Sequence, residues 1–286
     1  MGRGHEPLEE RDSEPRMCTL IAIYRQVPDR WLVVAANRDE YLDRPAEGPA
    51  IRSSASGRVL SPLDVKAGGT WIGMNQSGVF CALTNLSGSQ NESDRLSRGE
   101  VVTNCLSAPH AVDAAEWLKA LPAEQYNSFN CFVCDQDNAF LAVYSDECHV
   151  QELGPGVHVV GNSDGLAAPV QKVARLRDRV EGLTESLPDD LLGRLGEVCG
   201  EHGVSKVALD ETCVHVADTY GTRSSWLLEL DDEFGKNHLG GSAESKLFYA
   251  DGPPCVAPYK NLSPLLKEFE QMPNSQTTEF LTRNAS

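Results

Sequence analysis

The chain has no apolar run near the roughly 20 residues a membrane span needs; its longest, such as residues 31–36, are strand-length. Residues 2–16 are charged and polar. They carry neither the apolar core of a secretory signal nor the acid-poor, Arg-rich character of a transit peptide. Cations are few: 25 Lys+Arg stand against 42 Asp+Glu, a formal net charge of −17. Neutralising phosphates takes clustered cations, so nucleic acid and an anionic membrane surface are excluded as main partners. Such acidity fits a cytoplasmic protein and a salt-adapted host.

A paired-cysteine framework is missing as well. The 9 Cys are odd in number and scattered over 286 residues, which excludes a small disulfide scaffold and suits buried thiols in a reducing compartment. The 7 His show no metal-ligand spacing. His158 and His215 lie in apolar strand runs and read as core or sheet-edge residues. Cys131 and Cys134 have two-residue spacing but no second pair. On a strand, residues three apart face opposite sides, so this pair reads as structural. Gly68-Gly69-Thr70-Trp71 lacks the Lys and the spacing of a phosphate loop; these glycines suit tight turns and close packing. No metal and no cofactor is expected. No internal repeat or coiled coil is visible.

What is present is ordinary globular composition, 41% hydrophobic, long enough for a sizeable core. Strand-like runs cover 18–24, 31–36, 70–74, 79–84, 129–135, 139–144, 157–160, 213–217 and 224–229. Many are apolar throughout, as strands covered on both faces are. Helical periodicity marks 98–107, 111–120, 170–183 and 191–202. Strands and helices come in blocks, which predicts an α+β fold with antiparallel sheets. Residues 1–16 read as a disordered leader, 17–258 as one domain, and 259–286 as a flexible tail.

One region is unusual. Asn37-Arg38-Asp39-Glu40 follows an apolar strand directly, and four polar residues in a row there must be surface or line a site. Taken alone, Arg38 and Asp39 would be a surface ion pair on a hairpin. With Arg44-Pro45, Gly68-Gly69-Thr70-Trp71-Ile72-Gly73, Ala82-Leu83-Thr84-Asn85 and Arg98-Gly99-Glu100-Val101, the string forms part of an ordered series. The series continues with Tyr126-Asn127-Ser128-Phe129-Asn130, Gly161-Asn162-Ser163 and Tyr220-Gly221-Thr222-Arg223-Ser224. The whole set resembles the NRDE family, the group that includes the transport and Golgi organisation two proteins. The order of Cys18, Arg38, Asp39, Asn85, Asn162 and Arg223 is also similar to that of the site residues of the penicillin V acylase and bile-salt hydrolase group.

The second resemblance implies a four-layer αββα sandwich of two antiparallel sheets flanked by helices, the N-terminal-nucleophile (Ntn) hydrolase-type fold. It also implies catalytic roles for those six residues. Residue chemistry agrees. A Cys at a chain start carries a thiol and an α-amine with a reference pKa of roughly 8, so it brings its own base. Arg38 would favour the thiolate, and Asp39 would orient the amine. Asn85 and Asn162 would serve as oxyanion donors. Arg223 would buttress the site or bind a substrate carboxylate.

In the written sequence Cys18 is internal. Two routes free its amine: a start at Met17 with Met removed, which is the preferred reading, or cleavage of residues 1–17 as a propeptide. The preferred activity is hydrolysis of a linear C–N amide. The alternative is a non-catalytic member that binds haem or a lipid-like small molecule in the same cleft. A vesicle-organising interaction protein ranks last.

Overall fold

A computed structural model describes residues 18–54, 56–87, 92–167, 170–205, 207–234 and 244–272. The expected leader over 1–16, together with Met17, lies outside the described residues. The chain opens with a hairpin, β1 (Thr19–Val27) and β2 (Arg30–Tyr41). A sequential meander follows: β3 (Ala46–Ser54), β4 (Gly57–Asp64), β5 (Ile72–Asn75) and β6 (Phe80–Asn85). Two helices, α1 (Arg98–Cys105) and α2 (Ala111–Lys119), interrupt it before β7 (Phe129–Cys134), β8 (Ala139–Tyr144) and β9 (Cys148–Leu153) complete it. Next come β10 (Gly156–Val160), α3 (Gln171–Ser186), α4 (Leu191–Cys199), β11 (His215–Val216) and β12 (Tyr220–Asp231). The described part closes with β13 (Lys246–Ala250), β14 (Lys260–Asn261) and α5 (Ser263–Gln271).

These strands make two antiparallel sheets. One has the order β10-β1-β2-β12-β13-β14, with β11 also on β12; the other is β3 to β9 in sequence. Three buried clusters define the layers. Leu20, Ala22, Leu32 and Val34 of the first sheet meet Leu60, Ile72, Phe80 and Phe132 of the second. Ile21, Ile23, Val33 and Ala35 face the other way and pack under Val173, Leu176, Val180 and Leu195 of α3 and α4. Cys81, Val133 and Tyr144 pack under Val101, Val102, Ala115 and Leu118 of α1 and α2. Period-2 alternation on strands covered from both sides therefore builds the αββα sandwich that the second resemblance implies, within the α+β class that the strand and helix blocks predict.

Two differences from the sequence reading bear on the site. β2 does not end at Ala36 but continues to Tyr41, so the polar string is strand and not turn. Nor is residue 259 onward a loose tail as far as residue 272. Leu266 and Phe269 of α5 are buried in the core between the sheets, and a hydrophobic stripe of this kind holds a short helix in place. Residues 273–286 lie outside the described residues.

Candidate functional site

Four consecutive side chains of β2 are buried although all are polar: Asn37, Arg38, Asp39 and Glu40 are 2%, 5%, 1% and 7% exposed. They are therefore not a solvated surface: Arg38, Asp39 and Glu40 line a cleft, and neighbours match most of their polar atoms. Alternation sends Asn37 toward the helices, where its Nδ2 donates to Cys199 O at 2.9 Å and Thr212 O at 2.8 Å. Arg38 points between the sheets. Its guanidinium lies 4.2 Å from the Trp71 ring centroid, and Nη2 reaches Asp64 Oδ2 at 3.2 Å and Glu40 Oε2 at 3.7 Å. Arg44 Nε meets the same Asp64 oxygen at 2.7 Å. Burial opposes ionisation of Asp64, but Arg44, the Ala67 N–H and Arg38 together hold its carboxyl below the usual range.

Asp39 accepts a hydrogen bond from Thr222 Oγ1 at 2.6 Å through Oδ1; Oδ2 has no hydrogen-bond partner among the described residues. Burial raises its carboxyl to about 7, with the Lys172 charge and the Thr222 bond pulling the other way and Glu40 adding to the rise. Lys172, in the first turn of α3, is also buried, and its Nζ lacks a hydrogen-bond partner among the described residues. Burial lowers its pKa, opposed by Asp39 and then Cys18. Nothing in the sequence marks Lys172, because it sits beside Val173 in an unremarkable amphipathic helix. Asp64 was equally hidden, at the end of a strand without an apolar run.

Cys18 stands at the head of β1, next to Thr19, which pairs with Asn37. Its backbone N–H donates to Asn162 Oδ1 at 2.6 Å, and its Sγ lies 3.9 Å from Asp39 O. Asn162 Nδ2 donates to Asn85 O at 2.7 Å, and Asn162 O accepts from Ser87 N at 2.7 Å. Asn162 thus ties the β10 end of the first sheet to the β6 end of the second. Burial, and next the Asp39 charge, push the Cys18 thiol up to about 12. The bond to Asp39 O and the Arg38 charge offset only part of this. The thiolate expected from Arg38 is therefore not what the internal Cys18 shows; desolvation outweighs the one cation.

A cleft of about 320 Å³ opens here between the sheets. Cys18, Arg38, Asp39 and Asn85 line it, with Trp71, Leu83 and Leu96 as apolar wall and Arg95 and Arg98 among its cations. Asn162 stands behind Cys18. Arg223 is not brought into this wall: it is the extra residue of a bulge where β12 passes β2, and its Nη1 faces Asp251 Oδ1 at 3.4 Å. The glycine pair expected for close packing does shape the rim. A Cβ on Gly69 would come within 2.7 Å of Gly99 C, so only glycine lets the start of α1 approach the turn before Trp71.

The family model described as Transport and Golgi organisation 2 matches residues 17–239, opening one residue before Cys18. The chain belongs to the Transport and Golgi organisation 2 family. Within that family it is 37% identical over 233 residues to the Transport and Golgi organization protein 2 homolog of Homo sapiens, covering 70% of this chain and 82% of that protein. Identity to the Mus musculus homolog is 29% over the same coverage. A crystal structure of a mutant conjugated bile acid hydrolase from Clostridium perfringens superposes with a TM-score of 0.51 at 11% identity, covering 90% of this chain and 95% of that one. The shared fold is the Ntn-hydrolase type. Among the described residues, no helix is long and apolar enough to cross a membrane.

Proposed function

We propose that this family member is a cysteine Ntn amidohydrolase acting on a linear C–N amide, with Cys18 as its nucleophile once the chain begins there. The observation that carries this reading is the placement of the Cys18 nitrogen. It is held by Asn162 Oδ1 at 2.6 Å in the wall of a cleft that Asp39, a buried carboxyl with one unpartnered oxygen, also lines. A peptide N–H uses only the first of these acceptors. An α-ammonium or α-amine has the hydrogens to use both, so Asp39 becomes its orienting group.

The high thiol pKa then has a mechanistic meaning. A thiol at about 12 does not ionise on its own near neutrality. It needs a base within reach, and the α-amine is the only base that travels with the nucleophile. The amine takes the Sγ proton as Sγ bonds to the substrate carbonyl carbon. Asn85 at the cleft wall donates to the developing oxyanion. The C–N bond breaks, the leaving amine takes the proton, and a thioester remains. Water then attacks with the same amine as base; the C–S bond breaks, and acid and free thiol are released. Asn162, with its carbonyl on Cys18 N and an amide hydrogen on Asn85, acts as a positioning residue for both. Trp71, Leu83 and Leu96 suit an apolar acyl group, and the Arg residues of the cleft suit an anionic substituent. Arg38, stacked and paired, fixes the floor.

A second reading rests on the same thiol value. If residue 17 is retained, Cys18 has no amine and a neutral thiol, and the cleft is a non-catalytic pocket for haem or a lipid-like ligand on an inherited fold. Intact-mass spectrometry of protein expressed from Met17, combined with a panel of N-acyl amides assayed for released amine, separates the two. The amidase reading expects loss of Met17 and turnover that drops at least roughly 10³-fold in Cys18→Ala. Retained Met17 with saturable haem or fatty-acid binding supports the pocket instead.

A further inference from the structure

Cys213, His215, Cys255 and His202 come from three separate stretches of chain and converge around β11, which pairs with the start of β12. Cys213 and His215 flank Val214 at β11, His202 follows α4, and Cys255 lies in the turn between β13 and β14. The Cys213 and Cys255 sulfurs are 3.6 Å apart; His215 Nε2 is 3.5 Å from the first and 3.3 Å from the second. His202, His215 and Cys255 each place a ligand atom within 4.8 Å of the others; Cys213 is not in that set, so its edge to His202 is the open one. We propose that Cys213, His215 and Cys255 form the core of a site for a zinc-class ion, with His202 as the fourth ligand that closes on binding.

The spacing carries the proposal. With Zn–S about 2.3 Å and Zn–N about 2.05 Å, tetrahedral angles require S···S edges of about 3.8 Å and S···N edges of about 3.5 Å. The three observed separations already match these edges within a few tenths of an ångström. Two thiolates with two imidazoles in that geometry select zinc over harder ions. A disulfide would need the sulfurs at about 2.05 Å. His202 and His215 are exposed and Cys255 is half-buried, so an ion has a route in. The loops are fixed independently: Cys213 N donates to Glu201 O at 2.8 Å and Ala257 N to Pro253 O at 2.8 Å. On binding, two S–Zn bonds form and the two thiol protons leave to solvent; the imidazoles bind neutral. His202, Cys255 and the Cys213–His215 pair lie on three separate segments, so no spacing in the sequence reveals the set, and His215 reads there as a core or sheet-edge residue.

The site also touches the cleft chemistry. Val214 N–H donates to Thr222 Oγ1 at 2.8 Å, and Thr222 Oγ1 donates to Asp39 Oδ1 at 2.6 Å. An ion held by Cys213 and His215 therefore pins the residue that fixes Thr222 on Asp39. Binding itself does not depend on the amidase reading.

Cobalt(II) titration of the reduced, metal-stripped full chain tests the site. The expected result is one equivalent bound, with thiolate-to-cobalt charge transfer and intense tetrahedral d–d bands that zinc(II) bleaches. Cys255→Ser, in a loop, should remove the charge transfer expected of its sulfur and abolish the zinc-dependent rise in Tm. His202→Ala should weaken cobalt binding at least roughly tenfold. Circular dichroism of both variants checks that they fold. Absence of thiolate–cobalt bands in the wild type overturns the proposal. So do bands unchanged in Cys255→Ser but lost in Cys81→Ser, which would assign the metal to the buried Cys81, Cys105 and Cys131 thiols. A Cys213–Cys255 disulfide in the unreduced protein that resists mild reductant overturns it as well.

Discussion

The two halves of β2 are equally buried and opposite in polarity. From Trp31 to Ala35 every side chain is apolar and at most 2% exposed; from Asn37 to Glu40 every one is polar and at most 7% exposed. The first half needs only volume to be filled, and the interdigitating residues of α3, α4 and the second sheet supply it. The second half needs partners, because an unmatched buried polar group costs more than a hydrogen bond returns. The fold supplies them from every direction: Cys199 and Thr212 carbonyls for Asn37, Asp64 and Trp71 for Arg38, Thr222 for Asp39. Three atoms in that half have no hydrogen-bond partner among the described residues, Asn37 Oδ1, Arg38 Nη1 and Asp39 Oδ2, and the last two belong to residues that line the cleft. One strand thus holds the molecule together at one end and exposes unmet chemistry at the other.

Substitutions along β2 test this contrast. Leu32→Ala opens a cavity in the intersheet core and should cost about 2–5 kcal/mol in denaturant unfolding. Asp64→Ala removes the carboxylate shared by Arg38 and Arg44. It should cost about 2–3 kcal/mol, partly screened because Arg44 and Asp64 reach solvent. Asn37→Ala strands two carbonyls and should cost about 1–2 kcal/mol, with faster hydrogen exchange at the C-terminal turn of α4.

Asp39→Asn should differ from the others in that its effect depends on pH. The folded-state carboxyl, at about 7, lies above the unfolded value of about 3.9. The stability it contributes is present below about pH 4 and is lost as pH rises through about 7. The variant escapes that loss, so its stability relative to the wild type should climb between roughly pH 4 and roughly pH 8 in paired unfolding curves. A flat difference would mean that Asp39 is already matched, and the contrast along β2 would fail.

The layers were legible because their apolar runs have strand length and alternate with helical blocks; 139–144 was read with the bounds of β8. β3 and β9 were invisible because their residues are half exposed and carry no pattern. α5 was missed because Pro264 and the polar residues around it looked like tail, although Leu266 and Phe269 fill the core. At the site, the written string Asn37 to Glu40 was readable, but its partners were not. Thr222, Lys172 and Asp64 reach it only through folding, from strands and helices far along the chain.

The most direct measurement compares two chains on the same panel of N-acyl amides, scored by released amine: the full 286 residues and a chain beginning at Cys18. The Cys18-start chain should release amine while the full chain, with a blocked nitrogen, stays at background. Equal turnover in both would show that the α-amine of Cys18 is not the base, and no turnover in either would leave the cleft as a binding pocket.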